Sequence, residues 1–200
     1  TLVITDSQNG CTTTDQVNID QDLTAPEVVI LPPDILTCAV TEVTIDASGS
    51  SSGSAFVYDW FTLDGNILQG ADTPEPLVDD PGTYTLVVTN TENGCSTTGA
   101  VEVDEDVQAP VAVGQATDVL DCVVEEVRID ATGSSAGSSF IYEWSTVDGN
   151  IVSGGTTLNP IVNEAGIYTL LVTNTINGCE TAVDILVRRD PNFPEAMNFD

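Results

Sequence analysis

Five cysteines offer the most chemistry in this sequence: Cys11, Cys38, Cys95, Cys122 and Cys179. A thiol can pair into a cystine, bind a soft metal or act as a nucleophile. No Cys-x-x-Cys spacing occurs, which argues against a metal knot. The chain has no histidine and no lysine. That removes a His general base, a His–metal site, a Schiff base and a lysine isopeptide cross-link. Cystine formation in an oxidising compartment is the chemistry that stays.

Carboxylates are the other reactive population. There are 32 Asp and Glu against three Arg, a net charge of -29. Such a surface repels phosphate backbones and anionic lipid, so neither nucleic acid nor a membrane surface is an expected partner. No apolar run approaches the roughly 20 residues of a membrane helix. Two acidic groupings stand out. Asp79-Asp80 could imitate a glycosidase pair. The residues 84 positions later are Asn163 and Glu164, which makes catalysis the weakest functional class. Asp20 and Asp22, then Asp104, Glu105 and Asp106, each precede an Ala-Pro step (Ala25-Pro26, Ala109-Pro110). Hard oxygen ligands gathered there could hold calcium, the one cofactor the sequence suggests. Against it, the third such place reads Arg188-Arg189-Asp190, and no Asp-x-Asp-x-Asp-Gly loop occurs. A solvated linker is the competing reading.

The elements that position these groups come from an internal repeat. Tyr84 to Thr91 recurs as Tyr168 to Thr175, Asn93-Gly94-Cys95 as Asn177-Gly178-Cys179, Trp60 as Trp144 and Cys38 as Cys122. The offset is 84 throughout, without gaps, and 42 of 84 positions are identical. Thr1 to Thr5 and Asn9-Gly10-Cys11 fit the same offset. The expected organisation is the end of a preceding repeat (1–25), two repeats (26–109 and 110–193), and the start of another segment (194–200). Because the first residues fall inside a strand pattern, the chain is expected to be a piece of a longer array.

Within one repeat the apolar period is two. Val43, Ile45 and Ala47 alternate with polar residues, as do Tyr84, Leu86 and Val88. Phe56, Tyr58 and Trp60 alternate with Val57 and Asp59. This predicts antiparallel strands with one buried face. Ser48 to Ser54, Asp64-Gly65, Pro81-Gly82 and Asn93-Gly94 supply the breaks, with positive φ expected at the glycine of a tight Asp-Gly turn. About seven short strands per repeat predict an all-β chain of tandem β-sandwiches. Trp60, Tyr84, Trp144 and Tyr168 are the expected core aromatics.

The run Ile45-Asp46-Ala47-Ser48-Gly49-Ser50, then Tyr58-x-Trp60, then Gly82 to Asn90, then Gly94-Cys95, resembles PKD-like and related immunoglobulin-like repeats of large secreted surface proteins of Bacteroidota. Trp60-Phe61-Thr62-Leu63-Asp64-Gly65 departs from the Trp-Asp-Phe-Gly-Asp-Gly run of strict PKD domains. The resemblance implies an immunoglobulin-like sandwich with a tyrosine corner at Tyr84. It also implies export by the type IX route and a part in adhesion, gliding or surface display.

Each repeat contributes one cysteine before its second strand and one after the Asn-Gly turn. The simplest pairing is Cys38–Cys95 and Cys122–Cys179, with Cys11 bonded to a cysteine outside the chain. Each bond would close a loop of about 60 residues and contribute about 3–4 kcal/mol. The alternative is a bond between neighbouring repeats, required if the two cysteines of one repeat lie at opposite ends. Short junctions containing Pro110 predict a semi-rigid rod of units about 35–40 Å long. The function expected is an extracellular stalk or filament repeat that holds an adhesive tip away from the cell, with neighbouring repeats as partners. A multi-chain appendage packed through exposed Val57 and Phe61 is the first alternative. A carbohydrate-binding module is the second, weakened because the counterpart of Phe61 is Ser145.

Overall fold

The computed structural model describes residues 1–191; the segment expected at 194–200 lies outside them. Every regular element among the described residues is a strand. A hairpin of β1 (Leu2–Thr5) and β2 (Thr12–Asp15) comes first. The next body holds β3 (Leu36–Thr37), β4 (Val43–Thr44), β5 (Phe56–Thr62), β6 (Ile67–Gln69), β7 (Leu77–Val78), β8 (Gly82–Asn90), β9 (Ser96–Val103) and β10 (Glu105–Asp106). The last holds β11 (Gln115–Ala116), β12 (Val127–Asp130), β13 (Phe140–Thr146), β14 (Ile151–Ser153), β15 (Ile161–Val162), β16 (Gly166–Asn174) and β17 (Glu180–Val187).

Each body is two antiparallel sheets around its own core. In the second body the sheets run β11-β12-β15-β14 and β13-β16-β17, the ABED and CFG order of a constant-type immunoglobulin sandwich. The first body has β4-β7-β6 and β5-β8-β9. Its counterpart of β11 is absent for a local reason. Leu31 N–H donates to the Asp46 carbonyl at 2.8 Å, but Pro32-Pro33 follows. Proline has no N–H, so the ladder cannot continue. Thr117, the counterpart of Pro33, donates its N–H to the Arg128 carbonyl at 3.0 Å.

The period-two faces carry the cores. Val43, Ile45, Ala47, Trp60, Tyr84, Leu86 and Val88 are buried together in the first. Val127, Ile129, Ala131, Trp144, Tyr168, Leu170 and Val172 are buried in the second. Core residues and those packed on them run from Val28 to Val103 in one body and from Ala112 to Val187 in the other. The two cores place their bulk differently at one point of contact. In the first, a Cβ on Gly99 would sit 2.6 Å from Val28 and 3.2 Å from Ile30. At these three positions the second body has Val183, Ala112 and Gly114. Bulk has moved from one strand to its neighbour, as close packing requires.

The tyrosine corners are present in both bodies. Tyr84 donates its hydroxyl to the Asp80 carbonyl at 2.6 Å and accepts the Asn66 N–H at 3.0 Å. Tyr168 does the same with the Glu164 carbonyl (2.8 Å) and the Asn150 N–H (2.9 Å). Gly65 corrects an expectation here: it is not among the glycines with positive φ. Its role is space, because a Cβ there would strike the Tyr84 hydroxyl.

Candidate functional site at the junction between the units

The cystine in this structure joins the two bodies. Cys38 bonds Cys179, with S–S 2.04 Å and Cα–Cα 5.0 Å. The pairing Cys38–Cys95 and Cys122–Cys179 is therefore corrected, and the bond between neighbouring repeats is the one formed. Cys11, Cys95 and Cys122 are free.

Sandwich geometry supplies the reason. β3 runs parallel to β10, pairing Leu36 with Glu105 and Thr37 with Asp106, and the Leu36 N–H donates to the Asp104 carbonyl at 3.0 Å. Cys38 thus sits at the end of the unit where β9 finishes. Cys95 sits where β9 begins, eight strand residues away. At 3.4 Å per residue that is roughly 27 Å, far beyond the roughly 7 Å that a cystine can span. Cys179 immediately precedes β17, at the end of its own unit that meets the preceding one.

The two cysteines are presented by different turns. Thr37 Oγ1 accepts the N–H groups of Ala39 (3.2 Å) and Val40 (2.9 Å), curling the backbone so that Cys38 projects. On the other side, Asn177-Gly178 makes a turn with Gly178 at φ +70°. The Cys179 N–H donates to Asn177 Oδ1 at 3.0 Å. The turns also touch directly: the Ala39 N–H donates to the Asn177 carbonyl at 3.2 Å. Cys179 and Asn177 are each only 1% exposed.

Asn177 is the polar centre of the joint. Its Nδ2 donates to Asp106 Oδ1 at 2.9 Å and to the Gln108 carbonyl at 3.1 Å. It thereby fastens the linker to the second unit's turn. The sequence signal for this role is the recurrence of Asn-Gly-Cys, in which turn chemistry accounts for the Asn locally but not for its grip on the linker. The same clamp occurs 84 residues earlier. Asn93 Nδ2 donates to the Thr24 carbonyl at 3.0 Å, and Asp22 Oδ1 accepts the Thr24 N–H at 2.9 Å. The Thr24 and Asn93 hydrogen bonds, Thr24 foremost, hold the Asp22 carboxyl below the usual carboxylate range.

The junction acids are thus placed as acceptors and backbone partners rather than as a metal cage. Among the described residues no three His, Cys, Asp or Glu side chains gather closely enough to hold an ion. Asp22 and Asp106 serve the Asn clamps. Asp104 and Glu105 contribute backbone to the β3–β10 pairing. Their counterparts can be Arg188 and Arg189 because that pairing ignores side chains: Leu120 N–H donates to the Arg188 carbonyl at 3.0 Å. Asp20 is exposed. Asp79 has a structural partner too, accepting from Asn66 Nδ2 at 2.7 Å.

No protein family profile matches this chain, and no curated relative matches it. Solved structures that resemble it include the N-terminal eight Ig domains of Down Syndrome Cell Adhesion Molecule, at 12% identity and TM-score 0.47, covering 93% of this chain and 30% of that one. Murine CEACAM1b gives 14% identity and TM-score 0.33, over 82% and 99%. Three N-terminal domains of the bacteriophage RB49 Highly Immunogenic Outer Capsid protein give 17% and 0.38, over 81% and 59%. Scores this low carry no argument about role. The immunoglobulin-like fold rests on the strand order and the two tyrosine corners.

Proposed function

We propose that this chain is a load-bearing segment of a tandem immunoglobulin-like array, acting as an extracellular spacer or adhesive stalk. Unit boundaries fall at 26–109 and 110–193, with residues 1–25 ending a preceding unit. The observation that carries the reading is the joint itself. A cystine and a buried Asn clamp lock one unit against the next, which serves transmission of force and fixed orientation. A bond of this kind persists in an oxidising compartment, which supports a location outside the cell. The PKD-like resemblance adds a surface adhesin exported by the type IX route.

Electron microscopy of the intact assembly tests this. A thin, single thread of regularly spaced beads is expected. Compact particles without extended arrays would end the proposal. A second reading, laterally packed chains in a thicker appendage, is favoured by one feature. Val57, Phe61, Ile141, Ile167 and Leu186 lie exposed on the outer faces of the β5-β8-β9 and β13-β16-β17 sheets. Bundles several strands wide, loosened by chelating divalent cations that screen the charge, would select that reading.

A further inference from the structure

The unpaired cysteines of the two bodies sit in the same settings as the bonded pair. Around Cys95, the backbone N–H donates to Asn93 Oδ1 at 2.9 Å and the Gly94 N–H to the Asn90 carbonyl at 2.8 Å. Around Cys179 the matching bonds measure 3.0 and 2.8 Å. Gly94 has φ +74° and Gly178 +70°. Cys122 sits in a turn of the kind that presents Cys38. The Asp121 N–H donates to the Val124 carbonyl at 3.0 Å, as Thr37 does to Val40 at 2.7 Å. Asp121 Oδ1 accepts the N–H groups of Val123 and Val124 at 2.7 and 2.6 Å, taking the part of Thr37 Oγ1. Asp and Thr differ in charge and shape, yet both build the turn that projects the cysteine.

A second observation places Cys95 at a joint. The Asn93 clamp on Thr24 reproduces the Asn177 clamp on Gln108. The hairpin before it repeats a known register: Thr5 opposite Thr12 and Leu2 opposite Asp15 match Thr89 opposite Ser96 and Leu86 opposite Gly99. So residues 2–24 stand to Cys95 as residues 86–108 stand to Cys179. At the other end, Leu120 bridges Arg189 in parallel as Leu36 pairs Glu105. Cys122 is thereby carried to the far end of its unit, as Cys38 is.

We propose that Cys95 and Cys122 are half-cystines for the units on either side. Cys95 receives the thiol of a Cys38-type turn in a preceding unit. Cys122 receives the thiol of an Asn-Gly-Cys turn in a following unit. Each unit is then bonded to both neighbours and never within itself, and the array is a continuous covalent chain of joints. In forming each bond, two thiols release two protons and two electrons. The electrons reduce the disulfide of a dithiol–disulfide oxidant, through a mixed disulfide that the second thiol displaces.

This rests on the tandem-array reading, but its test is separate. The protein isolated from its source is digested without reduction, and disulfide-linked peptides are identified by mass spectrometry. Cys95 and Cys122 are expected in linkage with peptides of neighbouring units, alongside Cys38–Cys179. Alkylatable thiols at both positions, or Cys38–Cys95 or Cys122–Cys179 peptides, would overturn it. A head-to-tail duplication of the whole chain's 26–193 region, oxidised with glutathione disulfide, gives a second readout. There Cys122 of the first copy should bond Cys95 of the second, while the Cys38–Cys179 bond in each copy reports folding. Folded copies with a thiol pair left free at the central joint would equally refute the proposal. A thick bundle in the micrographs would defeat the spacer reading and leave this bond map standing.

Discussion

Replacing Cys38 with Ser should lower the first unfolding transition of the chain, whichever unit it belongs to. The reasoning starts from where the bond is anchored. With the first unit folded, Cys38 is held beside Asp104 to Asp106. Unfolding the second unit then releases only the chain from there to Cys179, a closed loop of about 70 residues. With the second unit folded, unfolding the first releases a loop of similar length, from Cys38 to the start of the second unit. In the chain-entropy account either loop limits the unfolded chain enough to stabilise its unit by about 4 kcal/mol. A domain of this size shifts roughly 4–8 °C per kcal/mol, so the lower melting transition should fall by roughly 15–30 °C in C38S. The upper one should hardly move: once one unit has unfolded, the closed loop spans the 141-residue separation of the two cysteines and lengthening it adds less than about 1 kcal/mol. Differential scanning calorimetry of wild type and C38S, each without reductant, makes the measurement. C38S/C179S should add little beyond either single change, because both remove one bond. Bonds internal to the units would instead make C38S act on the first unit and C179S on the second. If C38S and C179S move different transitions, or neither moves one, the reasoning fails.

Other outcomes follow from the same geometry. Asn177→Ala removes three hydrogen bonds from a buried site, one to a carboxylate, and should cost about 2–4 kcal/mol in urea unfolding of the second unit; a change at the exposed Thr156 (Thr156→Ala) serves as control. Tyr84→Phe strands the Asn66 N–H and should cost about 1–3 kcal/mol, with Tyr168→Phe doing the same in the other unit. Gly99→Val drives a side chain into Val28 and should destabilise by about 1–3 kcal/mol; adding Val28→Ala and Ile30→Gly, the residues found beside Val183, should recover part of that loss. Stability should also vary with pH at both extremes. Asp22, Asp46, Asp121 and Asp130 are held below the usual carboxylate range, chiefly by hydrogen bonds from Thr24, Ser48, Val124 and Thr132. Their contribution is present above the unfolded value of 3.8 and is lost as pH falls through the lower folded values. Burial foremost pushes Tyr84 and Tyr168 up from 10.0, so the folded state keeps protons the unfolded state loses, and stability should decline as pH rises past 10.0. Midpoints of unfolding measured across pH should show that alkaline decline in wild type and a shallower one in Tyr84→Phe/Tyr168→Phe.

The amino-acid order alone determined the strands, their buried faces and the repeat, because these rest on local alternation and turn chemistry. Ile45, Trp60, Tyr84 and Leu86 could be placed inside from period two alone. The tyrosine corner was legible only through the resemblance to immunoglobulin-like repeats, which puts a tyrosine at the start of the strand where Tyr84 stands. The cystine partners were not. Whether Cys38 can reach Cys95 depends on which end of the sandwich each occupies, and that follows from the parallel run of β3 beside β10, a contact between residues about 70 apart in sequence. The role of Gly65 was hidden for the same reason: the Tyr84 ring fills the space over it only once two strands are packed. Asn177 looked like a turn residue and is one, yet its amide also grips the linker of the unit before. Local pattern sets what each segment prefers, whereas the joint is made of groups that meet only after two independent cores have formed and been set end to end.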